Sequence, residues 1–181
     1  MSSPTVRDGP ADAKPLVRPG ALDDAPGVAR LINAVITEGA PVLLTGPFSD
    51  EEERDFLEAI PARGGFHVAE AREPVDPLRI VAAQVFVPYA DDMPAHDHVA
   101  VVGTWVAAPW RRHGLGRALS ERTFALARER RFTKVFTDVR ADNTDSLAFH
   151  LAMGFTVAGT ARGQAVMRGR AYDVVFIERL L

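Results

Sequence analysis

The run Trp105-Val106-Ala107-Ala108-Pro109-Trp110-Arg111-Arg112-His113-Gly114-Leu115-Gly116-Arg117-Ala118-Leu119 holds the residues best suited to chemistry. It leaves a β-rich stretch, crosses a proline-containing turn and enters a helical one. The first amides of a helix lack intrahelical partners, and its N-terminus carries about half a positive charge, so an anion such as a pyrophosphate suits this place. Gly114 and Gly116 let the backbone come close to a ligand, and Arg111, Arg112 and Arg117 add positive charge. A dinucleotide fingerprint needs a glycine where Leu119 stands, and a nucleoside triphosphate loop needs Lys-Ser/Thr where Arg117-Ala118 stands. For the pattern taken alone, a surface turn with solvated arginines competes with an anion site.

The elements around this turn follow from hydrophobic period and punctuation. Leu16 to Arg18 reads as a strand. Asp23 or Asp24 can cap a helix running to Glu38, with Val28, Leu31, Ile32 and Val35 at helical spacing. Ser49-Asp50-Glu51-Glu52 is a capping box opening a helix that ends before Pro61. Three β-rich runs, Phe66 to Ala71, Leu78 to Val87 and His98 to Ala107, form an expected meander. A helix from Gly114 to Arg130, a strand Lys134 to Val139, a helix from Thr144 to Met153 and strands around Phe155 to Ala161 and Tyr172 to Leu180 complete an α+β domain with one central sheet.

At 181 residues and 47% hydrophobic composition the chain is long enough for one self-sufficient core. It has no cysteine, which removes thiol nucleophiles, thiolate metal sites and disulfides together. Its 21 Lys+Arg against 24 Asp+Glu give a net charge of -3, without a global field for nucleic acid or an anionic membrane. No run reaches the roughly 18 apolar residues of a membrane span, so the cytoplasm is expected. Residues 1–15 are polar, Pro-rich and aperiodic, the composition of a flexible tail before a single domain over 16–181. Lys14 and Lys134 are the only lysines, and the arginine and alanine usage points to a GC-rich bacterial genome.

The spacing Arg111-x-x-Gly114-x-Gly116 resembles the signature of the GCN5-related N-acyltransferase superfamily, which lies between its fourth strand and third helix. Asn143, Ser146, Phe149, His150, Gly154 and Phe155 follow a second family pattern, in order and downstream. His150 where many members have Tyr, with the ending Arg170 to Phe176, looks like the phosphinothricin or methionine-sulfone acetyltransferase branch. The resemblance implies a mixed sheet of about six to seven strands flanked by about four helices. It also implies acetyl-CoA as cofactor, a small-molecule amine as acceptor, and a homodimer as one assembly to expect.

By that resemblance, backbone N–H groups from Arg112 through His113, Gly114, Leu115 and Gly116 to Arg117 hold the pyrophosphate. Trp105 and Val106 pair with the pantetheine arm, and one amide there polarises the thioester carbonyl. Asn143 either bonds the arm or simply caps its helix. His150 is a candidate proton donor to the departing thiolate, against the alternative of a packed helical histidine. Acceptor deprotonation has no clear owner, because Val99 to Thr104 lacks the acidic residue common in this branch. His98, Glu70 and Glu38 are the candidates, directly or through water. His96 and His98 share one side of an extended strand, but no third ligand is at hand, so no metal is expected. Two other functions stand beside small-molecule N-acetylation: a non-catalytic acyl-CoA-binding module, and peptide or protein N-terminal acetylation.

Overall fold

The structure is a computed structural model that describes residues 14–75, 78–90 and 92–181. The expected tail falls outside that set apart from Lys14 and Pro15.

Strand β1 (Leu16–Pro19) leads through a short 3-10 turn into helix α1 (Ala25–Thr37), with a proline in its first turn where no amide partner is lost. Helix α2 (Asp50–Glu58) starts as its sequence dictates: Ser49 Oγ accepts from the Glu52 N–H at 3.1 Å, and Glu52 Oε2 accepts from the Ser49 N–H at 2.8 Å. Then follow β2 (Gly65–Val75), β3 (Leu78–Pro88), β4 (Val99–Val106), α3 (Leu115–Glu129), β5 (Lys134–Arg140), α4 (Thr144–Ala152), β6 (Thr156–Met167) and β7 (Arg170–Leu180).

All seven strands make one mixed sheet in the order β1-β2-β3-β4-β5-β7-β6. Every neighbouring pair is antiparallel except β4 and β5. That parallel pair is joined only at Val99–Lys134, Ala100–Val135 and Val101–Phe136. Beyond Val101, β4 continues to pair with β3 as far as Val106, while β5 pairs with β7 as far as Arg140. The sheet therefore splits between its two middle strands, leaving a wedge whose banks are β4 and β5.

The core forms two clusters, of which the second crosses the split. One cluster packs Val28, Leu31, Ile32 and Val35 of α1 against Val68, Ile80 and Val81 of the meander, together with Trp110, Leu115 and Leu119. The other gathers Phe86, Val102, Phe124, Phe132, Val135, Phe155 and Ile177. Helix α3 contributes its first two turns to the former and its second half to the latter, so it is the beam that spans the split. Strands β6 and β7 run longer than their expected cores and meet at Arg168-Gly169, both at positive φ (49° and 76°), the conformation of a tight hairpin turn.

Candidate active site

At the head of the wedge the 105–119 segment ends β4, makes a 3-10 turn at Ala108–Trp110 and enters α3. Among the described residues, no protein acceptor lies in hydrogen-bonding geometry with the backbone N–H groups of Arg112, His113, Gly114, Leu115, Gly116 or Arg117; the first satisfied amide of the helix is Ala118, which donates to the Gly114 carbonyl at 3.0 Å. Consecutive free donors at a helix N-terminus form an anion cradle. The side chains of Arg112 and Arg117 are exposed, with no ion pair among the described residues, and supply the matching charge.

The two glycines serve different ends. Gly114 sits at φ 81° with open space beyond its Cα, so its reason is conformation. Gly116 is crowded: a Cβ there would lie 3.0 Å from the Phe149 ring. Phe149 belongs to the second sequence pattern, so the two patterns, 33 positions apart in Gly116 and Phe149 numbering, touch in the folded chain.

The arm's expected partner strand is more selective than its sequence suggested. Trp105 pairs with Ala83 of β3, and the Ala107 N–H donates to the Val81 carbonyl at 2.9 Å. Backbone groups alternate along a strand, so the N–H and C=O of Val106 and Thr104 turn toward the wedge and those of Trp105 do not. Arg111 Nε donates to the Val106 carbonyl at 3.0 Å; because β4–β5 pairing ends at Val101, the Val106 N–H turns into the wedge with no strand partner there among the described residues. Thr104 is pinned from the other side by its hydroxyl, which accepts from Gln84 Nε2 at 2.7 Å; the same amide donates to Ser120 Oγ of α3 at 3.0 Å.

Of the remaining sequence candidates, His98 and Glu70 do not share this place, and Glu38 reaches it only through Arg111. His98 precedes β4, and its carbonyl accepts from the Thr133 and Lys134 N–H groups where β4 and β5 are still joined. At about 3.3 Å per residue it lies more than ~20 Å along the strand from Trp105. Glu70 on β2 is gripped by Arg18 (2.8 Å) and by Arg79, and these hydrogen bonds, Arg18's first, hold its carboxyl below the usual range. Glu38, just past α1, is ion-paired with Arg111. No cluster of three metal-ligating side chains occurs among the described residues.

Asn143 occupies both ends of its amide: Oδ1 accepts from the Ser146 N–H at 3.1 Å as the α4 cap, and Nδ2 donates to the Pro41 carbonyl at 3.0 Å. His150 is 7% exposed and edge-packed between Phe149 and Phe155, with ring centroids at 4.9 and 5.1 Å. Its Nδ1–H donates to the Ser146 carbonyl at 2.8 Å. Burial pushes its pKa down, against a smaller upward pull from that bond. The ring is therefore neutral at pH 7, with its proton committed and Nε2 bare.

Sequence reading missed Asp138. On β5, Val135, Thr137 and Val139 are buried, while Phe136, Asp138 and Arg140 point to the other face. The Val101–Phe136 register puts Gly103 and Trp105 of β4 on that same face. Asp138 is thus the first outward side chain of β5 past the parting point, exposed and without an ion pair among the described residues. Only the register of β4 on β5 reveals it, since a carboxylate in a strand is otherwise read as solvated.

A split mixed sheet with a donor-lined helix start at its fork defines an acyl-CoA N-acyltransferase. The acetyltransferase (GNAT) family matches residues 34–155, and the chain belongs to that family. It is an acyltransferase whose cofactor is acetyl-CoA. Over 172 residues it is 27% identical to phosphinothricin N-acetyltransferase of Streptomyces coelicolor, covering 95% of this chain and 99% of that one. Ribosomal-protein-alanine N-acetyltransferase from Brucella melitensis superposes with a TM-score of 0.81 at 23% identity, over 92% of this chain and 99% of the other. A phosphinothricin acetyltransferase from Sinorhizobium meliloti in complex with acetyl-CoA superposes with a TM-score of 0.81 at 17% identity, over 92% and 88%.

Proposed function

We propose that this enzyme transfers an acetyl group from acetyl-CoA to the primary amine of a small, amino-acid-like molecule by direct attack within a ternary complex. The observation that carries the reading is the run of N–H groups from Arg112 to Arg117 without a partner among the described residues, at the mouth of a wedge where β4 is unpaired with β5 beyond Val101. The 27% identity to phosphinothricin N-acetyltransferase along nearly the whole of both chains supports the choice of acceptor class. When bound, acetyl-CoA supplies an acetyl group already activated as a thioester, so no enzyme nucleophile is required, in keeping with a chain without cysteine.

The protein's part is to hold, aim and move a proton. The 112–117 amides with Arg112 and Arg117 take the diphosphate. The Val106 N–H, pointed into the wedge by strand alternation, meets the negative charge that grows on the carbonyl oxygen; such a donor is worth roughly 3 kcal/mol in other acyl transfers. Asp138, on the opposite bank and on the Trp105 face, takes the proton from the amine, directly or through one water. Its exposure and lack of a cation suit a base better than Glu70 or Glu38, whose oxygens are held by arginines. His150 acts as a packing residue that seats Phe149 against Gly116, and the thiolate takes its proton from solvent.

The experiment is to titrate the protein with acetyl-CoA and follow thiol release over a panel of amines headed by phosphinothricin and including alanine-ended peptides. Turnover on the amino-acid-like amines supports the reading. Turnover restricted to peptides moves the acceptor class to N-termini. Saturable acetyl-CoA binding with no turnover on any amine leaves a binding module and rejects catalysis.

A further inference from the structure

The resemblance counts Arg111 in the cofactor signature and leaves Asn143 open between the arm and a helix cap, yet each also commits a polar group to the connection between α1 and α2, residues 38–49. The Arg111 guanidinium binds the Glu38 carboxylate while its Nε holds the Val106 carbonyl at the end of β4. Asn143, which follows β5, donates from Nδ2 to the Pro41 carbonyl at 3.0 Å. A third hold closes the far end: Asn33 of α1 donates to the Phe48 carbonyl at 2.7 Å and accepts from the Phe48 N–H at 2.8 Å. Val42, Leu44 and Phe48 pack onto the first core cluster beneath.

The first two holds come from opposite banks of the wedge. Glu38 is fastened to the β4 bank and Pro41 to the β5 bank, so the segment between them is strapped across the opening. The strap adjoins the Val106 N–H through Arg111, which holds both Glu38 and the Val106 carbonyl. The amide orientation of Asn143 is fixed by its partners, because Ser146 offers a donor and Pro41 an acceptor.

We propose that Arg111 and Asn143 are positioning residues for the acceptor, setting the wall formed by residues 38–49, and that their loss weakens amine binding while leaving acetyl-CoA binding in place. The proposal rests on the acetyl-transfer reading for its kinetic consequence, and on hydrogen bonding alone for its structural one.

Two substitutions isolate it. Asn143→Asp keeps the oxygen that caps α4 and replaces the donor to Pro41 by a charged acceptor that repels that carbonyl. Glu38→Gln removes the charge paired with Arg111 from the strap's own side. In the full-length protein without ligand, amide hydrogen exchange over residues 39–47 should accelerate by about fivefold or more in each variant, because one anchoring bond is gone. Acetyl-CoA affinity by calorimetry should stay within about twofold, and the KM for an amine the enzyme turns over should rise about tenfold with a smaller fall in kcat. Unchanged exchange over 39–47, or a tenfold loss of acetyl-CoA affinity with the amine KM intact, overturns the proposal. A wild-type protein that turns over no amine rejects the acetyl-transfer reading instead, and the exchange measurement still decides the strap.

Discussion

Asp138 and Glu70 are both strand carboxylates, and what separates them is company. Glu70 lies between two guanidiniums; Asp138 stands exposed on the Trp105 face with no ion pair among the described residues. Asp138→Asn should therefore lower kcat by about 10²-fold or more, the usual weight of a general base, with acetyl-CoA affinity unchanged in a calorimetric titration. Equal turnover in the variant removes Asp138 from the mechanism. At Gly116 the crowding ring of Phe149 predicts that Gly116→Ala weakens acetyl-CoA binding by tilting the start of α3. Gly114→Ala instead costs stability, about 1 kcal/mol, because only its φ is at stake. Thermal melts with and without acetyl-CoA separate the two. Residue types and spacing announced the glycine turn, because the backbone donors it exposes follow from local chemistry. They could not announce Asp138, whose meaning comes from a register between strands more than thirty positions apart, nor that Asn143 spends its second amide atom on Pro41.

Helix α2 carries a group at odds with its place. Glu53 is 4% exposed and has no hydrogen-bonding partner for its carboxyl among the described residues; burial pushes its pKa up. A carboxyl whose folded pKa is raised adds stability only while protonated, fully below the unfolded value and progressively less as pH rises through the folded one. Glu53→Gln should then raise Tm at pH 7 by about 2–4 °C, for roughly 1 kcal/mol, and the gain should shrink toward pH 4. Glu70 works with the opposite sign. Its lowered pKa makes the Arg18 and Arg79 pairs favourable above the ordinary carboxylate range and lost as pH falls through the depressed value. Element existence was largely readable, from the Ser49 capping box and the apolar spacing of α1 to the meander between prolines. The β6–β7 hairpin was underestimated because its outer strand is exposed almost throughout, so no buried alternation marks its length.

On the scale of the whole molecule, the mixed sheet and flanking helices followed from element order, while the place where it opens did not. Hydrophobic runs specify that strands are buried, not how many of their residues pair. Acetyl-CoA binding only the folded form at 100 times its Kd should stabilise the protein by about 2.7 kcal/mol. At this chain length that is a rise in Tm of about 5–10 °C. A shift of that size with acetyl-CoA, repeated with desulfo-CoA and absent with acetate, locates the affinity in the nucleotide and arm.

Three rungs of pairing are all that weld one half of this sheet to the other along the backbone, and the two halves are otherwise joined by the second cluster, where Phe86 of β3 and Val102 of β4 meet Val135 and Ile177. On the proposed reading, a thioester arm in the fork does the job of a missing strand and adds backbone pairing where the protein has none. Without it, moderate denaturant should loosen the β5–β7–β6 half ahead of the rest; with it, both should melt as one, so the sharpness of unfolding becomes a gauge of occupancy.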